Sequence, residues 1–529
     1  MTMFLLSRLN LERAVLIILG LSFFIGLWHA LPLTNIVADE NYFVGSVLRA
    51  MENRALIPQA NDVPYGTITY LLNYFLIALA LGALLPFAGF RLDGLKLMLI
   101  ENPELIYWIP RFLSAISGLA FLFLINRFLK NEVADLKVRI FLLILIFTNI
   151  ITAVVMHTGK VWVLSTLLVM ISFYFLYKKK VALTVIFSFL ALANFPLNAF
   201  SLINIPILLV LFRKDRASIY KIFKYAALGL ALFLLITLLN FESVKNQVLS
   251  VYNTYLFSAE AVKHNADILN AFWLNLKKFA ALFPLLILAA IFAVKNKIKN
   301  RYLFGISLLY LLAYFLLVVF LTRWVVDFQL SLRYLFPLGF FIIFFIASFD
   351  LKFHKFFYVL SAISIIYFGF TLYYLSSPTN YNLAYDWVVE NLNREEVVII
   401  NRGLDGEIYR GVDELRLPLN RRSALLIDES YCGSQCENVI ENDLNNRFKP
   451  LVIDPRSKIT STYQLPAGSA IYYLEEVPQN KLGLIVIKKF GNEFANSRWH
   501  YSVDYNLGNY FDWRYFLIGN LGKNVYVYK

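Results

Sequence analysis

The sequence predicts a polytopic α-helical membrane protein with a small C-terminal α/β or α+β domain, and three observations predict it. Of 529 residues, 59% are hydrophobic and only 16% charged, with a mean hydropathy of +0.62; a soluble chain runs nearer a quarter charged. Apolar runs of about 15 to 24 residues recur up to Ser377, close to the roughly 20 that one spanning helix needs. Charge is also divided unevenly. The 152 residues from Pro378 onward hold 17 Lys/Arg and 19 Asp/Glu, an ordinary soluble composition, while the first 377 hold 32 and 16. The domains are therefore placed at 1–375, in the membrane, and 376–529, outside it. This composition excludes a secreted protein and a barrel of short alternating strands. Membrane topology explains the net charge of +14 without nucleic acid as a partner.

The first run, Val15 to Leu31, follows Arg8 and Arg13 and precedes Asp39-Glu40. It is long for a signal peptide, and no A-x-A cleavage site follows it. It reads as a first membrane helix with a cytoplasmic N-terminus. Further spans begin near Arg111, Arg139, Val161, Val181, Leu202, Tyr225, Phe279, Tyr302, Tyr334 and Phe356, giving about eleven. Every inward-facing connection is then basic: Arg127 to Arg139, Lys178 to Lys180, Arg213 to Lys224, Lys295 to Arg301, and Lys352 to Lys355. With the N-terminal tail these carry 20 Lys/Arg against 5 acids, the asymmetry the positive-inside rule describes. Ile68 to Phe90 is apolar enough to cross, but one more crossing would invert every later loop. It is expected to lie in or dip into the outer leaflet, within a long first external loop.

Odd parity leaves the C-terminal domain extracytoplasmic. A helix is expected at Tyr385–Leu392, then strands at Val397–Ile400, Ala424–Ile427, Leu451–Ile453, Ala470–Leu474, Leu484–Ile487 and Val525–Tyr528, separated by turn-forming clusters. The only cysteines, Cys432 and Cys436, either close a short disulfide in an oxidising compartment or remain two thiols.

Candidate chemistry gathers at the outer ends of the spans. Asp39 and Glu40 follow the first helix, where a carboxylate beside low-dielectric surroundings can serve as a general base. His157-Thr158-Gly159-Lys160 puts a cation at the start of a helix, the wrong end for the macrodipole unless an anion sits there. Arg111, Arg323 and Arg333 raise the same question. Scattered, these cations anchor lipid headgroups; converging, they form a phosphate site. No cofactor is required, and the sequence offers no carboxylate cage for a divalent metal. The outer connection Phe241 to Lys278, holding Lys263, His264 and Asp267, reads as an interfacial helix, with a cover over the acceptor as the alternative.

Four motifs in order carry a resemblance: Asp39-Glu40; Val63-Pro64-Tyr65-Gly66; Pro110-Arg111-Phe112-Leu113-Ser114-Ala115-Ile116-Ser117-Gly118; and Arg333-Tyr334-Leu335-Phe336-Pro337-Leu338. Over about residues 10 to 375 the chain resembles the GT-C glycosyltransferases, such as protein O-mannosyltransferases and the aminoarabinose transferases acting on lipid A. It departs from some members at Val63, where they carry a Lys. The resemblance implies a GT-C-like membrane fold and inverting transfer of a sugar from a polyprenyl-phosphate donor to a lipid, glycan or protein acceptor. Asp39, with Glu40 second, would be the base. Arg111, His157, Lys160, Arg323, Arg333, Tyr334 and Tyr65 would bind the donor phosphate. The competing readings are a lipid or sugar transporter or flippase, and a non-catalytic assembly factor of the same shape. Transporters usually carry ionisable groups near mid-bilayer, and these spans are almost free of them.

Overall fold

The structure is a computed structural model that describes residues 2–31, 40–52, 54–56, 66–102, 104–239, 241, 245, 267–324, 331–391, 397–401, 449–453, 471–475, 485–493, 516–517, 519–522 and 524–528. It is mainly helical. The helices are α1 (Thr2–Ser22), α2 (Glu40–Glu52), α3 (Thr67–Leu84), α4 (Leu92–Glu101), α5 (Glu104–Glu132), α6 (Leu136–Phe147) and α7 (Ile150–Met156). Then come α8 (Trp162–Tyr177), α9 (Val181–Asn194), a 3-10 segment (Pro196–Ile203) running into α10 (Asn204–Leu211), and α11 (Arg216–Leu238). The series continues with α12 (Ile268–Leu282), α13 (Pro284–Val294), α14 (Arg301–Trp324), a 3-10 turn (Arg333–Leu335) leading into α15 (Phe336–Ala347), α16 (Phe356–Ser376) and α17 (Asn380–Asn391).

Among the described residues, five helices are long and apolar enough to cross a membrane, and seven if two bent pairs each count as one span. Four further apolar helices are shorter. Each predicted span is at least partly helical, but several are interrupted. The first is helical only to Ser22; Phe23 to Leu31 continues as successive turns. Gly26 there has φ of 88°, and a Cβ would lie 2.8 Å from the Leu375 carbonyl oxygen. Close contact with α16, invisible to hydropathy, therefore ends the helix. α6 and α7 bend by 63°, and α12 and α13 by 92°. The two bends are tied together: Asn149 Nδ2 donates to Leu282 O at 3.0 Å, beside a 2.7 Å hydroxyl contact between Thr148 and Ser364. Irregular backbone is tolerated at membrane depth where protein surrounds it in this way.

Hydrocarbon is as apolar as Leu, so close packing and polar contacts hold such a bundle together. Nearly every side chain of α15 is buried, and its rings interleave with those of α5 and α8: Phe340 on Phe121 at 4.0 Å and Phe344 on Phe173 at 4.5 Å. A Cβ on Gly339 would lie 2.6 Å from the Phe283 ring, so the small residue permits the approach of α13. Asn204 joins four elements. Its Nδ2 donates to Ser188 Oγ at 2.9 Å and Ser172 Oγ at 3.3 Å, and its Oδ1 accepts from Tyr310.

The basic connections meet at one end of the bundle, called here the Lys178 end. Glu12 of α1 pairs with Lys130 at 3.0 Å and Arg139 at 3.8 Å. Glu132 accepts from Tyr177 and from Asn300 Nδ2 at 3.0 Å, and Lys299 N donates to Ser348 O. Asp135 Oδ2 accepts from Phe353 N at 3.3 Å. On the neighbouring basic connection, Asp215 caps α11; the Ser218 hydroxyl at 2.6 Å is the main cause holding its carboxyl below the ordinary range.

The opposite, Lys160 end receives the first helix, the start of α8 and the C-terminal part. Gly66 packs on Phe43 and Val161, and Thr69 donates through N–H and hydroxyl to Asn194 Oδ1, both at 3.0 Å. α3 thus starts at this end, and Arg111 of α5 lies there too. Between them α4 spans about 15 Å, half the hydrocarbon thickness. α3 is one of the helices long and apolar enough to cross, and α4 is not.

After Ser376 the chain enters α17, which begins five residues before the predicted helix. Thr379 Oγ1 accepts from Asn382 N, and Asn382 Oδ1 accepts from Thr379 N, both at 3.1 Å, a capping box with Asn in the Glu/Gln place. Among the described residues the strands are β1 (Val397–Asn401), β2 (Lys449–Ile453), β3 (Ile471–Glu475), β4 (Val486–Phe490) and β5 (Val525–Tyr528), forming a sheet of order β2-β1-β3-β5-β4. β1 pairs in parallel with β2 and β3, and β5 runs antiparallel to β3 and β4. α17 lies on the antiparallel half through Trp387 and Phe490. The expected strand Ala424–Ile427 and both cysteines lie outside the described residues. Asn382 Nδ2 donates to Ala30 O at 3.1 Å, and Phe516 packs on Tyr367 and Phe370 of α16.

Candidate functional site at the Lys160 end

Glu40 opens α2, where the helix dipole favours a carboxylate, and it is fully buried. Arg111 grips it: Nε lies 3.0 and 3.1 Å from the two carboxylate oxygens, and Nη2 donates to Oε2 at 2.8 Å. Arg111 Nη1 donates to Leu27 O at 2.8 Å and His29 O at 2.6 Å. Those carbonyls are available because the first helix has unwound after Ser22. Gly159 N donates to Glu40 Oε1 at 2.6 Å. One ion pair therefore joins the end of the first span, α2, α5 and the loop before α8.

Arg111 is expected to bind a donor phosphate and Glu40 to be the second candidate base; the structure places both in one buried ion pair. Most of the Arg111 fork is instead committed to protein oxygens, and the Glu40 carboxylate has no exposed surface. Both hold the frame of the site. His157 is likewise buried, with Nδ1 against Ala153 O and Nε2 at 3.1 Å from Ser22 O, so its ring braces α7 against α1.

Lys160 and Arg333 are also buried, at 4% and 5% exposure. Trp162, which opens α8 two residues after Lys160, joins their segments. The Arg333 guanidinium carbon lies 5.1 Å from the Trp162 ring centroid and 5.3 Å from that of Tyr334, and the two rings meet edge-on at 5.2 Å. Phe195 closes on Trp162 at 4.9 Å. Tyr314 donates to Tyr334 O at 2.7 Å, fixing the 3-10 turn that presents Arg333. Stacking on aromatic faces leaves the guanidinium edge as the donor surface. Arg323 lies in the last turn of α14, beside Thr322, whose hydroxyl accepts from Asn275 Nδ2 at 2.8 Å. Asp39 and Tyr65 lie outside the described residues; their neighbours Glu40 and Gly66 both border the 159–161 loop.

Reasoning from sequence missed Gly159 and Trp162. A Cβ on Gly159 would lie 2.5 Å from Pro110 Cβ and 3.2 Å from Arg111 N, so only glycine lets this loop reach Glu40. Gly159→Ala is expected to lower the unfolding temperature of the purified protein and to impair activity with it; an unchanged melting curve would contradict that contact. Trp162 had a readable signal, an amphipathic ring beside a cation at a predicted membrane boundary.

The site thus has a rigid frame, Glu40–Arg111–Gly159, beside two cationic side chains whose segments meet at Trp162. It suits an anionic group. Among the described residues no three His, Cys, Asp or Glu are grouped to hold a metal ion. No protein-family model, curated protein or solved structure matches the chain.

Proposed function

We propose that the chain is a GT-C-like membrane glycosyltransferase that moves a sugar from a polyprenyl-phosphate carrier to an acceptor hydroxyl at the extracytoplasmic face. The observation that carries this reading is the gathering of Lys160, Trp162 and Arg333 at the bundle end that also holds Glu40, the residue after Asp39. In the proposed reaction Asp39 takes the proton of the acceptor hydroxyl as that oxygen attacks the anomeric carbon. The bond to the carrier phosphate breaks with inversion, and Lys160 and Arg333 receive the charge that develops on the leaving phosphate. Fixed donors in a partly dry site contribute several kcal/mol to such a step. Arg333, backed by two rings, suits a two-oxygen grip that Lys cannot reproduce.

With the N-terminus cytoplasmic and the about eleven crossings expected from the sequence, this end would be outside. The meeting of the basic connections at the opposite end, and the contact of Asn382 with Ala30, support that assignment. An impermeant thiol reagent is expected to label a cysteine engineered at Lys489 in intact cells; labelling only after the cells are opened would reverse the orientation. The activity itself is tested with purified protein and a panel of radiolabelled polyprenyl-phosphate sugars. Transfer from one of them supports the reading. Absence of transfer, with the protein folded and supplied with membrane-extract acceptors, would favour the assembly-factor alternative.

A further inference from the structure

A lateral groove of about 360 Å³ runs between α1 and α5, and none of the residues of the site described above lines it. Gly20 forms part of its floor. A Cβ there would touch Leu119 at 3.0 Å, so the missing side chain both lets α5 approach and leaves the trough. Ile17, Leu21 and Phe123 stand exposed along its rim. Phe24, whose ring lies 5.8 Å from that of Phe112, lines its far end. Among the described residues Arg13 is the only polar side chain in its lining.

Position and charge identify an occupant. From Arg13 to Phe24 the chain rises about 15 Å, which is half of the hydrocarbon thickness and so the depth of one leaflet. Arg13 heads the groove at the Lys178 end. The neighbouring acid, Glu12, is buried and already engaged by Lys130 and Arg139, so its charge is taken up by other cations. Among the described residues no acid pairs with Arg13.

We propose that this groove is a binding site for an anionic glycerophospholipid, with one acyl chain along Gly20 and the headgroup phosphate at Arg13. A polyprenyl chain is longer than one leaflet and would overrun the end at Phe24. A zwitterionic lipid would leave the charge of Arg13 unanswered. The groove shares no lining residue with the site described above, its Arg13 end lies at the other end of the bundle, and the proposal is independent of the glycosyltransferase reading.

Native mass spectrometry of the full-length protein, titrated with phosphatidylglycerol or phosphatidylcholine, tests this. Retained phosphatidylglycerol adducts are expected, with phosphatidylcholine shed first. Arg13→Gln, at an exposed position, should weaken phosphatidylglycerol binding about fivefold, the effect of one cation at an anionic membrane surface, while Arg13→Lys retains it. Ile17→Trp should fill the trough from its open side and remove the adduct. Equal retention of the two lipids, or displacement of phosphatidylglycerol by an equimolar polyprenyl phosphate, would overturn the proposal. So would an adduct indifferent to Arg13→Gln, which needs no second variant to be decisive.

Discussion

Arg111→Ala should destabilise the protein by about 3–5 kcal/mol, the cost of leaving one member of a buried ion pair without its partner. The loss falls on Glu40, which has no exposed surface, and on the carbonyls of Leu27 and His29, which accept from the same guanidinium. Glu40→Gln should be milder. The amide oxygen can still accept from Gly159 N, but the charge on Arg111 is no longer balanced. Thermal unfolding of detergent-purified protein reads both changes. In this frame the variants lose activity because the loop before Lys160 is released, so activity and unfolding temperature should fall together. A Glu40→Gln protein that melts like the parent yet has lost turnover would return Glu40 to the chemistry.

Asp39→Asn should behave in the opposite way. The substitution is nearly isosteric, and a carboxylate held for proton transfer contributes little to folding, so the melting curve should be preserved. Sugar transfer should drop by at least the roughly 10² that a lost general base costs. The two adjacent acids are therefore separable by experiment, one by stability and the other by rate. If neither Asp39→Asn nor Glu40→Gln affects transfer, the catalytic assignment of this segment is wrong.

Much of the fold is legible in the amino-acid sequence because the bilayer makes it so. Long apolar runs bounded by charge have few alternatives to helices in hydrocarbon, and the predicted spans fall on helices from α5 to α16. Four of the predicted strands overlap observed ones closely, and a fifth, Leu484–Ile487, is displaced toward Val486–Phe490. Breaks are not legible in the same way. Gly26, Asn149 and Leu282 interrupt helices because of what lies across from them: Leu375, the Leu282 carbonyl and the Asn149 amide. The start of α17 escapes a sequence reading because its cap uses Asn382 where the familiar pattern has Glu or Gln.

By itself, then, the sequence determined the class of the protein and the residue types available at each span end. Thickness and polarity of the surrounding medium act on the chain locally, and composition records them directly. Only the tertiary structure decided which contacts the charged residues make. Asp39 and Glu40 are adjacent in sequence, and Arg111, Lys160 and Arg333 are all cations at span ends. Whether such a group holds the frame or faces a ligand depends on which oxygens and rings lie within about 3 to 5 Å of it. Arg111 meets Glu40 across 71 positions of chain, and Arg333 meets Trp162 across still more. Contacts at that separation are a property of packing, and no local pattern encodes them.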